Sequence, residues 1–376
     1  MPILPVFAES FGVGVFAASG IVSVFAAVRL CSNLYTGALT DRIGTRQAVG
    51  WGALIVGVSS ILAGASPGYW WLIFFRGIGG FGSALFFNAL LTHTIKIVPA
   101  DYRGRAVGML QGAFLFGIAF GPTVGGALAE PLGLRWPLVI YGGFCAGAAL
   151  LAFTRLPRIV DRGDDDAEAS PIGLRPLLRT AAGFCKDPTF VAALVMMATS
   201  RWAATGVRFS LIPLFGDQVV GASVLVVGVA LTLASVSHIA LLWPAGKLID
   251  TRGRRVLAAP AYTFFAVSSA LLIVATDIPL FLVVMTLYGV GTGLTSVTPP
   301  AIVGDVTAPE DTGKAVGVLN TAGDLGSVLG PLVSGWLAQE AGFGWGFGAS
   351  AALLLLGAVV GARMRETLPA DESTER

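Results

Sequence analysis

The chain has 376 residues, of which 55% are hydrophobic and only 12% charged, with a net charge of +2 and a mean hydropathy of +0.79. Soluble domains carry about 25% charged residues, so a soluble enzyme, a nucleic-acid-binding protein and a disulfide-stapled secreted domain are excluded. The 50 glycines would weaken ordinary helices but suit membrane helices, whose backbones approach closely at small residues. The composition predicts an all-α polytopic membrane protein.

A bilayer core about 30 Å thick takes about 20 apolar residues per helix. In chain order such stretches cover 13–36, 47–66, 69–97, 106–129, 134–155, 188–215, 220–245, 255–275, 278–303, 313–337 and 343–363, which predicts eleven full spans. The start, MPILPVFAES, lacks the basic n-region and the long apolar run of a signal peptide. The one long polar stretch predicts a linker (156–187) between two helical bundles, 1–155 and 188–363, with a tail at 364–376. Basic residues in short loops mark the cytoplasmic side. Arg42, Arg46, Arg103, Arg105, Lys247, Arg252, Arg254, Arg255 and Lys314 fall in alternate loops, whereas the opposite loops carry Arg135 alone. Linker and tail are therefore expected in the cytoplasm, and the protein in the plasma (cytoplasmic) membrane. Cys31, Cys145 and Cys185 are too far apart for a disulfide framework or a metal-ligand pattern. No metal and no cofactor are expected.

The chain repeats itself. GALTDRIGTR (37–46) aligns with GKLIDTRGRR (246–255), and GRAVGMLQGAFLFGIAFGP (104–122) with GKAVGVLNTAGDLGSVLGP (313–331), both at a shift of 209; Gly80 and Gly82 map onto Gly289 and Gly291 by the same shift. Parallel halves of this kind place a transporter's binding site at the repeat interface. ILPVFAE (3–9) matches LIPLFGD (211–217) at a shift of 208. Residues 1–10 therefore read as the outer stub of a helix whose greater part is expected to be absent from this chain.

These residues resemble the major facilitator superfamily, and the resemblance covers nearly the whole chain. The family's G-x-x-x-D-R/K-x-G-R-R/K loop is matched by Gly37, Asp41, Arg42, Gly44 and Arg46, with Thr45 replacing one arginine. The second copy keeps Gly246, Asp250, Gly253, Arg254 and Arg255, with Thr251 in place of a basic residue. The resemblance implies a cytoplasmic latch for alternating access. Glycines at 37 and 44 would allow a tight turn, and Asp41 could sit at a helix N-terminus, where the dipole favours an anion. Arg76, Gly80, Gly82 and Ala84 match R-x-x-x-G-x-G-x-A. GIAFGPTVGG, with Gly117, Gly121, Pro122, Gly125 and Gly126, matches G-x-x-x-G-P-x-x-G-G, which the family associates with export by antiport. A near-copy with Gly330 and Pro331 occurs in the 313–337 span, so antiport and plain helix packing both stay open.

Ionisable groups in a bilayer cost roughly 2.5–3.5 kcal/mol each on insertion scales and usually face a polar cavity. Arg76 lies about 10 Å deep and Arg201 about 20 Å deep at ~1.5 Å per residue, with Arg208 at i+7 on nearly the same stripe. They suggest an anionic or polar substrate, or pairing with acids on neighbouring helices. Asp324, one turn past Asn320, is the carboxylate placed deepest and the first candidate for binding and releasing a proton. His238, whose side-chain type titrates near physiological pH, is a second, against a packing role; Arg29 occupies the matching position in the first half. Asn88, Asn33 and Tyr288 are neutral hydrogen-bonding candidates, and Trp202, Phe81, Phe86 and Phe87 apolar ones.

The resulting expectation is a monomeric secondary transporter that moves a small molecule across the lipid bilayer by alternating access, in proton-coupled efflux. The alternatives are uptake of a metabolite, including an anion, or a non-transporting remnant. No nucleic-acid partner and no enzyme activity are expected.

Overall fold

The computed structural model describes residues 3–99, 102–157, 182–308 and 311–367. Most of the linker (158–181) and the tail beyond 367 lie outside the described residues. No strand occurs among the described residues. The helices are α1 (Ile3–Glu9), α2 (Val15–Ile43), α3 (Thr45–Gly64), α4 (Tyr69–Ile97), α5 (Arg103–Leu132), α6 (Trp136–Arg155), α7 (Pro188–Trp202), α8 (Ile212–Gln218), α9 (Val224–Arg252), α10 (Arg254–Leu271), α11 (Ile278–Ser296), α12 (Thr298–Val306), α13 (Thr312–Ala341) and α14 (Phe343–Arg363). Between α7 and α8 the chain stays helical but takes the wider π form over Ala203–Leu211. Among the described residues, eleven helical runs are long and apolar enough to cross a membrane.

Two of the helices outrun the apolar windows at the ends that carry the basic residues. The 29 residues of α2 reach about 43 Å at ~1.5 Å per residue, beyond the ~30 Å hydrocarbon core. The expected loop at 37–46 is therefore mostly helix, and Gly37 lies inside it. The same holds for Gly246 inside α9. The turn is one residue wide in each copy, at Gly44 with φ +82° and Gly253 with φ +101°, a region where a side chain is strained.

Two compact units emerge. The first holds Met1–Ile172, Ile212–Gln218 and Ala222–Thr232; the second holds Gly173–Leu211, Val219–Gly221 and Leu233–Arg376. Each is built on close helix contacts at glycine. In the first unit a Cβ at Gly80 would lie 2.7 Å from the Phe25 carbonyl oxygen, and in the second one at Gly289 would strike the backbone of Ala234. Residues 25 and 234, like 80 and 289, differ by the repeat shift. An apolar cluster around Ala48 with Leu39 and Leu85 recurs as Leu257 with Leu248 and Leu294. The internal repeat is thus a repeat of packing.

Candidate functional site

In the second unit the helix that begins as α7 carries both arginines. The expected shared stripe does not exist. A π-helix bonds i to i+5 and takes more residues per turn than an α-helix, so the π segment rotates everything after Trp202 out of register. Arg201 is exposed, while Arg208 is 3% exposed and its Nη2 donates to Ser235 Oγ on α9. Tyr288 on α11 lies within electrostatic reach of Arg208, and its hydroxyl donates to the carbonyl of Ala203 at 2.8 Å. That carbonyl sits where the α register gives way to π, a junction where the regular backbone pairing is interrupted. His238, half-buried on α9, lies within electrostatic reach of both Arg208 and Arg201. The Arg201 stem lies against α13, 3.1 Å from where a Cβ on Gly323 would stand, next to the half-buried Asp324. Three candidates, Arg201, Arg208 and His238, are thus gathered; Asp324 follows Gly323 on the helix that meets Arg201, and Asn320 is exposed.

The glycine pattern of α13 has a clear use. Gly326 meets the backbone of Ala198, and Gly330 meets Trp202 and Gly206, with 2.9 Å from a Gly330 Cβ to the Trp202 carbonyl. Pro331 is buried beside them. Small residues at i and i+4 therefore seat α13 on the Arg201–Arg208 helix.

In the first unit Arg76 is 5% exposed, its guanidinium carbon 4.5 Å from the centre of the Phe25 ring, with Tyr141 within electrostatic reach. Its Nε has no acceptor among the described residues. Asn88 donates to Thr36 Oγ1 at 2.8 Å and to Asn33 Oδ1 at 3.4 Å, which ties α4 to α2. Arg29 is exposed, 5.8 Å from the Phe87 ring centre. Phe81 and Phe86 pack against the apolar cluster around Ala48.

The α5 pattern divides. A Cβ at Gly126 would lie 2.7 Å from the Val224 carbonyl, and the Pro122 carbonyl lies against Gly228; Gly125 meets Ile3. Thr123 and Thr232 share a 2.7 Å hydrogen bond. Gly117 and Gly121 face open space, so the expected packing role fails at these two positions among the described residues.

The latch residues also depart from expectation. Asp41 is not at a helix N-terminus; it lies in the last turn of α2. Asp250, in the last turn of α9, pairs with Arg254 at 3.2 Å. Arg254 also pairs with Asp305 at 2.9 Å and donates to the Ile249 carbonyl at 2.7 Å. The anion at the N-terminus of α10 is Glu366, whose carboxylate accepts from the backbone N–H of Arg254 at 2.7 Å and of Arg255 at 3.1 Å. Thr45 takes the place of Arg254 in the first copy and bonds His93 Nδ1 at 2.8 Å, while Arg46 Nη2 donates to the Phe153 carbonyl. Asp305 and Glu366 were not anticipated. A charge reversal under the repeat shift, Lys96 against Asp305, is the signal that points to Asp305.

At the end of the Pro188–Gln218 span α8 meets α1 through Gln218, which donates to Glu9. Among the described residues no cluster of three or more His, Cys, Asp or Glu could hold a metal.

This chain of glycine-seated spanning helices, with a few enclosed charges and a duplicated helix–turn–helix, matches known proteins along its full length. The Major Facilitator Superfamily pattern fits residues 1–221 and 199–376. The chain belongs to this superfamily. It is 26% identical over 371 residues to the multidrug resistance protein MdtG of Escherichia coli, covering 96% of this chain and 88% of that one. It is 21% identical over 342 residues to the uncharacterised MFS-type transporter MJ1560 of Methanocaldococcus jannaschii, covering 91% and 87%. A bacterial homologue of the human lysosomal transporter Spinster, solved inward-facing and unoccupied, superposes with a TM-score of 0.79 at 15% identity, over 96% of this chain and 91% of that one. This superfamily member is a multi-pass membrane transporter of small molecules; the family's members are not enzymes.

Proposed function

We propose that the chain is a proton-coupled exporter of small amphipathic molecules, working by alternating access as a monomer in the plasma membrane, with linker and tail in the cytoplasm. The observation that carries this reading is the charged group inside the spans of the second unit, where Arg208 is 3% exposed and Arg201 lies against α13 one residue from Asp324. Charges at that depth are costly and mark ion or substrate paths. A carboxylate near guanidiniums shifts a two-state equilibrium when its protonation differs between the states. The printed name of the MdtG relative and the α5 pattern around Pro122 support the export direction. The two-bundle division at 156–187 is part of the same proposal.

The enclosed guanidiniums of Arg76 and Arg208 also support a second reading, uptake of an anion. Everted vesicles separate the two. Export predicts that a panel of fluorescent amphipathic dyes accumulates inside energised everted vesicles and leaks out on adding a protonophore. Accumulation of anions in right-side-out vesicles alone would favour uptake and overturn the export reading.

A further inference from the structure

The cytoplasmic end of the second unit carries a cavity of about 550 Å³ bounded by the start of α7 and the end of α14. Asp187 immediately precedes the Pro188–Gln218 span and Arg363 ends the Phe343–Arg363 span, so the cavity lies at the ends of two helices apolar enough to cross a membrane. Its lining joins charged and apolar side chains: Arg363 and Arg365 with Asp187, and Met364 with Ala192 and Val360, which lie one helical turn inside the two spans and make an apolar inner wall.

The rim is tied together by polar contacts. Arg365 pairs with Asp187 at 2.7 Å, and Asp187 also caps α7 by accepting from the Thr189 N–H at 2.8 Å. The next residue, Glu366, is fastened to the N-terminus of α10, and Met364 is 4% exposed. Arg363 is exposed and makes no ion pair among the described residues.

We infer that this cavity binds an anionic phospholipid of the inner leaflet, with the phosphate on Arg363 beside the Arg365–Asp187 pair and the start of an acyl chain along Ala192 and Val360. Basic pockets between spanning helices on the cytoplasmic side take such headgroups. The apolar inner wall favours a lipid over a free phosphate, which has nothing to place there.

The test is native mass spectrometry of the purified full-length protein with dioleoyl phosphatidylglycerol, dioleoyl phosphatidylcholine or inorganic phosphate. Wild type is expected to retain phosphatidylglycerol over phosphatidylcholine, undisturbed by equimolar inorganic phosphate. Arg363→Gln should lower that retention about fivefold, the worth of one basic residue at an anionic surface, with an unchanged Tm in neutral detergent. Val360→Trp should lower it too, by filling the inner wall without touching a charge. Arg155→Gln, at the end of another span, should not. Full retention in Arg363→Gln or Val360→Trp, equal loss in Arg155→Gln, or displacement by inorganic phosphate would overturn the assignment.

Discussion

Residues related by the internal repeat need not carry the same load. Gly326 and Gly330 press on the backbone of the Arg201–Arg208 helix, whereas their counterparts Gly117 and Gly121 face open space. Gly326→Ala and Gly330→Ala are each expected to destabilise by about 1–3 kcal/mol, the usual cost of overpacking. Gly117→Ala and Gly121→Ala should instead be neutral or gain up to about 0.5–1 kcal/mol, because alanine loses less chain entropy in a helix. Thermal unfolding in detergent reads the difference. Similarly, Arg254 is three-way bonded to Asp250, Asp305 and the Ile249 carbonyl, while Thr45 at the related position holds only a neutral contact to His93. Asp305→Asn should therefore cost roughly 1.5–3 kcal/mol, the range for a hydrogen bond to a charged group. Thr45→Ala should cost less.

Among the elements, hydropathy reveals the spans because lipid demands a self-bonded apolar helix, and the apolar windows match the observed helices to within a few residues except at the basic ends of α2 and α9. There the helices continue through charged residues that hydropathy reads as loop. The π segment is not legible. Nothing in AATGVRFSL names a π register, and the side chain that bonds its first carbonyl, Tyr288, is 85 residues away in sequence. That distance is also why Asp305 and Glu366 escape notice as latch partners. Tyr288→Phe removes the hydroxyl from the Ala203 carbonyl; it is expected to lose about 0.5–1.5 kcal/mol and to speed amide exchange within 203–211 while leaving α3 and α4 unchanged. Unaltered exchange in that segment would show that the hydroxyl does not hold the register.

At the level of the whole molecule, the family, the fold and the transport class are readable from composition, repeat and motif, whereas the grouping of His238 with Arg201 and Arg208 and the approach of Arg201 to α13 need the fold, since they join helices far apart in sequence. Glu9, at the end of α1, is titratable and lies outside the candidate spans. Burial, with Asp217 nearby, raises Glu9 above its ordinary value of 4.5 despite the Gln218 hydrogen bond. A carboxylate whose pKa is raised on folding favours the folded state while protonated, so its contribution is present at low pH and fades as pH rises through the raised value. Wild type should therefore gain Tm relative to Glu9→Gln on acidification through the interval just above 4.5; parallel pH profiles would contradict this. The central claim is that Asp324 couples proton movement to transport. It is tested most directly in proteoliposomes, by comparing gradient-driven dye accumulation with downhill counterflow in Asp324→Asn. The account predicts that accumulation is lost while counterflow persists, and accumulation undiminished in the variant would contradict it.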